Sequence, residues 1–398
     1  MERRIIYLIL LSLGILLVIF SLIFGTKKRN IEKKEILPTI ETKPIVVWGI
    51  LDSEKMQNII VDFERITNEK INYIYFPPEE IYKQFLENIA AGNLPDVILI
   101  NNHLFEQFKD KIQPIGNKDQ IDIWPFLKEN LSENNDLLAF PLALDPIVLG
   151  SQKQIFYSLG LKENPATYDE LNQLILNLKS KNLNIYFINL GTIENNPFAP
   201  EIITSLALNF GAQSQDIFKN YADAWSRAFN YYFSFGDKQN PLFSFEETNE
   251  ELTELFLKNK ILMVLAPLSF FNNLKNINPQ LDFLISSFPT NNLLYRKSLV
   301  NFYMGVIPKL SSNSQQGKKF LSYFYNFPEK VYQNWKLIPS KNNYFNLEDL
   351  TEWWQKESLI AKAIIFPAKD LFLSLLRKIK IEINYNQNVG QDFINNFK

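Results

Sequence analysis

Cysteine is absent from the 398 residues, and histidine occurs once, as His103. No disulfide, thiolate metal site or cysteine nucleophile can therefore form. A single imidazole cannot build a multi-histidine metal centre. A triad using it would need serine and aspartate partners that no local motif announces. An excess of one charge is missing too: 41 Lys and Arg stand against 43 Asp and Glu, a formal net charge of -2. That balance gives no electrostatic ground for nucleic acid as a partner. No repeat and no low-complexity tract is found. These absences weigh against metal, thiol and triad enzymes and leave carboxylate chemistry open. No metal, cofactor or catalytic residue is expected.

What is present is ordinary globular composition, 46% hydrophobic and 21% charged, in a chain longer than one core usually fills. Two lobes are the default expectation. The 33 Phe, 17 Tyr and 6 Trp exceed what a core needs, and the surplus suits stacking on flat or sugar-like ligands.

The first residues, "MERRIIYLILLSLGILLVIFSLIFGTKKRN", carry Arg3 and Arg4 and then run uncharged from Ile5 to Thr26. An apolar stretch of roughly 20 residues spans a bilayer, whereas a signal-peptide core has about 7–15. No small-x-small cleavage site follows, and without cysteine the amino terminus cannot be lipid-modified. Residues 1–26 are expected to form an uncleaved signal anchor, in the lipid bilayer through residues 5–24, and 27–43 a tether. Lys27, Lys28, Arg29, Lys33 and Lys34 outnumber Arg3 and Arg4, so the positive-inside rule alone would keep the domain in the cytoplasm.

From Pro44 the pattern alternates strand and helix. "IVVW" (Ile45 to Trp48) reads as a buried strand. The next helix is capped by Asp52 or Ser53, with Met56, Ile59, Ile60 and Phe63 on one face. "INYIYF" (Ile71 to Phe76) is a strand. The helix after it stops at Gly92, and "VILI" (Val97 to Ile100) is apolar on both faces, like a central parallel strand. Two β-α-β units make an open α/β sheet, whose ligands sit beyond the carboxyl ends of its strands. Trp48-Gly49 and Asn101-Asn102 hold that position. Further on, Thr167 and Glu170 form a capping box. "NIYFINL" (Asn184 to Leu190) is a strand, "LVNFYMGVIPK" is strand-like, and the segment from Ser312 is helical up to a proline-containing loop. The tail is an amphipathic helix interrupted at Pro367.

From Ile45 to the carboxyl terminus this order of segments resembles the extracellular solute-binding proteins of ABC importers, in their maltose-binding-like, sugar-binding branch. The resemblance is carried by "VVWGILDSEKMQNIIVDFERITN", "YKQFLENIAAGNLPDVILIN", "LLAFPLALDPIVLGSQKQIFYSLGLKENPATYDEL", "LFLKNKILMVLAPLSF" and "NFYMGVIPKLSSNSQQGKKFLSYFYN". The chain departs from the family pattern at Phe140, at "SQKQIF", at Asn259 and at Tyr168. The resemblance implies a two-lobed, periplasmic-binding-protein-like α/β fold of type II. One lobe would be 44–142 plus about 303–342, the other 143–302 plus about 343–398, closing on ligand by a hinge. It implies a sugar or oligosaccharide ligand, delivery to an ABC permease, no catalysis and a place outside the cytoplasm. The flanking charges oppose that orientation, but long domains translocate largely regardless of them.

A sugar cleft wants an aromatic floor and a few placed polar groups. The topology implied nominates Trp48, Asp52, Asn101, Asn102 and Asp145, then Glu194, Asn195, Pro267 and Phe270 from the second lobe, with Tyr303 and Trp335. Each also has a plainer role: Trp48 as core, Asp52 as a helix cap, the asparagines as a turn, Glu194 as solvated loop, His103 as a loop histidine. In Trp353-Trp354 one indole would face the core. Two further functions remain open. Asp52, Asp145 and Glu194 supply the residue types of a glycoside hydrolase, although no spacing selects a pair. A membrane-tethered scaffold of receptor ancestry would have lost its ligand.

Overall fold

The alternation at the start of the domain folds as a parallel β-α-β-α-β unit. β1 (Ile45–Gly49) lies between β2 (Ile71–Tyr75) and β3 (Val97–Asn101), with α1 (Ser53–Thr67) and α2 (Pro78–Ala91) as the crossovers. Asp52 is the cap of α1: its carboxylate accepts the Lys55 amide at 2.9 Å, and Met56, Ile59 and Phe63 are buried. α2 starts on Pro78, which has no N–H to leave unpaired, and stops at Gly92, whose φ of 70° favours a residue without Cβ. The computed structural model describes residues 43–212, 222–246, 248–291 and 297–340. The expected anchor, the tether up to residue 42, the 343–398 segment and Trp353-Trp354 lie outside the described residues. Among the described residues no helix is long and apolar enough to cross a membrane.

β4 (Phe140–Gln152) is a single 13-residue strand buried along its whole length, Asp145 included. α3 (Tyr168–Lys179) follows. Its Thr167 hydroxyl accepts the Glu170 amide at 3.1 Å, while the Glu170 carboxylate accepts the N–H of Ala166, one residue ahead of the expected partner. β5 (Tyr186–Ile188), α4 (Ala199–Asn209), α5 (Ala222–Ser234), β6 (Ile261–Pro267), α6 (Leu268–Ile277) and β7 (Phe283–Ser287) also belong to the second half. The strand expected over Asn184 to Leu190 contracts to three residues. The reason is Asn189, whose side chain takes over the pairing: its amide accepts from the Leu265 N–H at 2.7 Å and donates to the Leu265 carbonyl at 2.9 Å.

β8 (Val300–Pro308) returns antiparallel and inserts between β3 and β4, so the sheet is mixed rather than uniformly parallel, in the order β2-β1-β3-β8-β4-β6-β5. The helical stretch after it divides at Phe327 into α7 (Ser314–Asn326) and α8 (Pro328–Trp335), because Pro328 cannot donate to the helix before it. Among the described residues the buried apolar side chains form three clusters. One packs α1, α7 and α8 on the first half, and one packs α3, α4 and α5 on the second. The last runs from Trp48 past Leu144 and Val148 to Phe270 and joins the halves.

Candidate functional site

The ladder registers fix where the two halves meet. Asn101, the last residue of β3, is level with Tyr303 of β8 and through it with Ala143 of β4. Pro267, the last residue of β6, is level with Ile147 of the same strand. The tips of β3 and β6 thus stop four residues apart along β4, about 13 Å at the usual strand rise. Asp145 lies midway, with Asn301 of β8 beside it.

Asp145 is buried, and its Oδ1 accepts the Ser269 amide at 2.9 Å, in the first turn of α6. Burial pushes its carboxyl up to about 6. The hydrogen bonds of Ser269 and the Lys55 ammonium oppose that shift, and Glu201 adds to it. Tyr303 is pushed up as well, first by burial and then by Asp145. Groups from α1, α4, α6, β4 and β8 therefore sense one another across this floor. The loop after β3 also reaches the second half: His103 Nε2 lies 3.8 Å from the carboxylate of Glu201 in α4.

The paired asparagines divide their work. Asn102 is buried and structural: its backbone N–H donates to Phe302, its Oδ1 accepts from Phe302 at 2.9 Å, and its Nδ2 donates to Asn301 at 3.4 Å. Asn101, one residue earlier at the strand tip, has a buried Oδ1 with no hydrogen-bond partner. An unpaired buried acceptor costs about 1–3 kcal/mol. Asn195 on the loop after β5 is similar: its Oδ1 accepts from Thr192 at 3.3 Å, and its Nδ2 is buried without a partner.

The remaining nominated residues fall on either side of this line. Trp48 is buried, its ring 4.8 Å from that of Phe76. Asp52 is exposed and engaged in capping α1. Glu194 is exposed and folds back on its own loop, accepting from the Thr192 hydroxyl at 3.0 Å and the Ile193 amide at 3.2 Å. Pro267 is the cap of α6. Phe270 is packed among Phe198, Phe256 and Phe271. Trp335 is buried between Tyr303 and Phe324, and its indole N–H donates to the Lys55 carbonyl at 3.3 Å.

Five participants escaped the sequence reading: Lys55, Glu201, Ser269, Asn189 and Asn196. Glu201 carried a usable signal, since it is the one charge in "APEIITSLALNFGA". A lone carboxylate in a helix buried on every side needs a polar neighbour. The others gave none, because lysine after a cap and asparagine in a turn are commonplace.

Residues 58–362 match the family described as bacterial extracellular solute-binding protein. No curated protein matches the chain by sequence. Among solved structures, the fold is similar to an ABC-transporter solute-binding protein from Thermotoga lettingae bound with α-D-tagatose. The two share 18% identity over 88% of this chain and 100% of that one, with a TM-score of 0.69. It is similar also to the maltotriose-binding protein of Thermus thermophilus with maltotriose bound, at 16% identity over 88% and 98% of the two chains and a TM-score of 0.65. A cyclic α-maltosyl-1,6-maltose-binding protein from Arthrobacter globiformis has 12% identity over 89% and 97%, with a TM-score of 0.70.

Proposed function

Because the chain belongs to the bacterial extracellular solute-binding proteins, we propose that it captures a sugar or oligosaccharide over Asp145 and delivers it to an ABC permease. The lobes are 44–142 plus about 303–342 and 143–302 plus about 343–398, hinged on β4 and β8. The uncharged run from Ile5 to Thr26 holds the protein to the outer face of the membrane.

The observation that carries this reading is the pair of buried, partnerless amide atoms, Asn101 Oδ1 and Asn195 Nδ2, on the loops from the two halves. One accepts and one donates, as the two ends of a neutral polyhydroxy molecule require. Asp145 and Tyr303 supply further hydrogen-bonding groups between them, and the sugar rests on apolar surface that Trp48 backs from within. The tagatose and maltotriose in the similar structures support that ligand class. The near-neutral chain gives no reason to invoke a strongly charged solute at this site.

The test is a thermal-shift screen of the full-length protein, detergent-solubilised, against mono- and oligosaccharides. A ligand at 100 times its dissociation constant adds about 2.7 kcal/mol of stability. Asn101→Ala should weaken the sugar found by roughly tenfold while leaving the unliganded melting temperature in place, since among the described residues the side chain has no hydrogen bond to lose. Absence of any saturable shift across the panel, or an unaltered affinity in Asn101→Ala, rejects the proposed site.

A further inference from the structure

At the other end of the second half, β5 and β6 begin side by side, with Tyr186 level with Ile261. Ile261 is six residues from Pro267, about 20 Å along the strand from the Asp145 floor. Here a cavity of about 520 Å³ opens between the carboxyl end of α3, the turn leading into β5 and the residues Phe243, Ser244, Glu246 and Glu250. Pockets that hold small molecules are typically about 300–1,000 Å³.

The charges lining this cavity are unevenly satisfied. Glu246 is paired with Lys238 at 2.6 Å, and Glu250 with Lys260 at 2.5 Å. Lys179 is different. It is half-buried at the end of α3, with its ammonium 5.7 Å from the centre of the Phe243 ring. Its one hydrogen bond is a long contact of 3.5 Å to the Asn240 carbonyl. Among the described residues no carboxylate pairs with it. Burial holds its ammonium below the usual lysine range. An ammonium drawn partly out of water, over an aromatic face and with no counter-ion, is suited to receiving an anion. Tyr186, Asn182 and Asn184 line the same cavity.

We propose that this cavity is a second ligand site, for a small organic anion of the sugar-acid class. Lys179 takes the carboxylate, Phe243 and Tyr186 offer apolar surface to the ring, and the Asn182 and Asn184 amides serve the hydroxyls. The paired state of Glu246 and Glu250 leaves their negative charge compensated, so Lys179 sets the sign of the site. The proposal does not rest on the reading of the interlobe floor, from which the length of β6 separates it.

The experiment is calorimetric titration of the full-length protein at low salt with glucuronate, using glucose as the neutral isostere and inorganic phosphate as a bare anion. Glucuronate should bind saturably and glucose should not bind at this site. Lys179→Met should weaken glucuronate at least about tenfold, as loss of a charge-assisted contact does. Lys179→Arg should retain it and show that the position tolerates change, and Asn101→Ala should leave it unaltered. The proposal is overturned if glucuronate shows no saturable binding in the millimolar range, or if Lys179→Met binds like wild type. Phosphate binding as tightly as glucuronate with the same Lys179 dependence also overturns it, because the site would then read charge without the sugar. Loss of glucuronate binding in Asn101→Ala overturns it too, by assigning the anion to the interlobe floor.

Discussion

At the tip of β3 the loop is held by the sheet itself: Asn102 donates its backbone N–H to Phe302 and repeats the ladder with its side chain. At the tip of β5 the loop is held mainly by side chains. Asn189 bridges both backbone groups of Leu265, Asn196 donates to the Asn189 carbonyl at 2.5 Å and to the Tyr232 hydroxyl at 3.0 Å, and Tyr232 donates to the Thr192 carbonyl at 2.6 Å. All these groups are buried. Gly191 belongs to the same arrangement: its φ is 105°, and a Cβ there would meet the Gly236 backbone at 2.1 Å. Both loops carry a partnerless amide atom, but the first is presented by a strand and the second by a buried polar network. Such networks are rigid when complete and costly when broken. The second loop should therefore be the more fragile platform.

The largest effect follows directly. Asn189→Leu leaves the N–H and the carbonyl of Leu265 buried without partners, each worth about 1–3 kcal/mol, for a total loss of roughly 2–6 kcal/mol. The urea midpoint of the full chain should fall accordingly, with an unchanged slope. A loss below about 1 kcal/mol would mean that the β5 loop is held by something other than this bridge.

The same contrast explains what could be read beforehand. The Asp52 cap, the stop at Gly92 and the strand tip at Asn101 are local: each depends on residues within a few positions and on a fixed periodicity. The order of the first strands and helices followed from such features, whereas the two-lobed fold was implied only by resemblance to the solute-binding family. Asn189 and Leu265 are 76 residues apart, and Asn102 and Phe302 are 200 apart. No local pattern announces a side-chain bridge of that reach, and an asparagine in a polar loop reads as a turn. Hence the expected strand through Leu190 ran past its real end. Trp335 illustrates the opposite error of emphasis. A tryptophan near an expected cleft suggests stacking, yet its ring lies in the core and its N–H is spent on Lys55.

Next in size is the pH dependence of the floor between the loops. With a native pKa of about 6 against the usual aspartate value of 3.8, Asp145 binds its proton more tightly folded than unfolded. Its contribution is complete at low pH and diminishes as pH rises from about 4 to 6, then stays level, amounting on the order of 3 kcal/mol across the window. Asp145→Asn should remove this slope while keeping a neutral side chain in place. Stability measured by urea at pH 4 and at pH 7 should differ less in the variant than in the wild type. Equal differences in the two proteins would show that the carboxylate is solvated rather than buried.

Smaller again is the split within the asparagine pair. Asn102→Ala orphans the Phe302 N–H and should cost about 2 kcal/mol of stability. Asn101→Ala should stay within about 0.5 kcal/mol of wild type in the absence of ligand. If the two variants are equally destabilised, Asn101 has an internal partner and the β3 tip is not the exposed end of a ligand platform.

The smallest expected change sits just beyond β1, in the first half. Asp52 is exposed, and its service is to the Lys55 amide at 2.9 Å, with the Lys55 ammonium 3.5 Å away as a weak surface pair. Replacing a capping aspartate by alanine costs about 1 kcal/mol, and an exposed ion pair adds little to that. Asp52→Ala should therefore lower the urea midpoint slightly and leave sugar affinity where it was, in contrast to Asn101→Ala, which should do the reverse. A tenfold loss of affinity in Asp52→Ala at unchanged stability would move the ligand outward from the β3 tip to the start of α1. The proposed ligand contacts of the first half would then come from a helix cap as well as from the sheet.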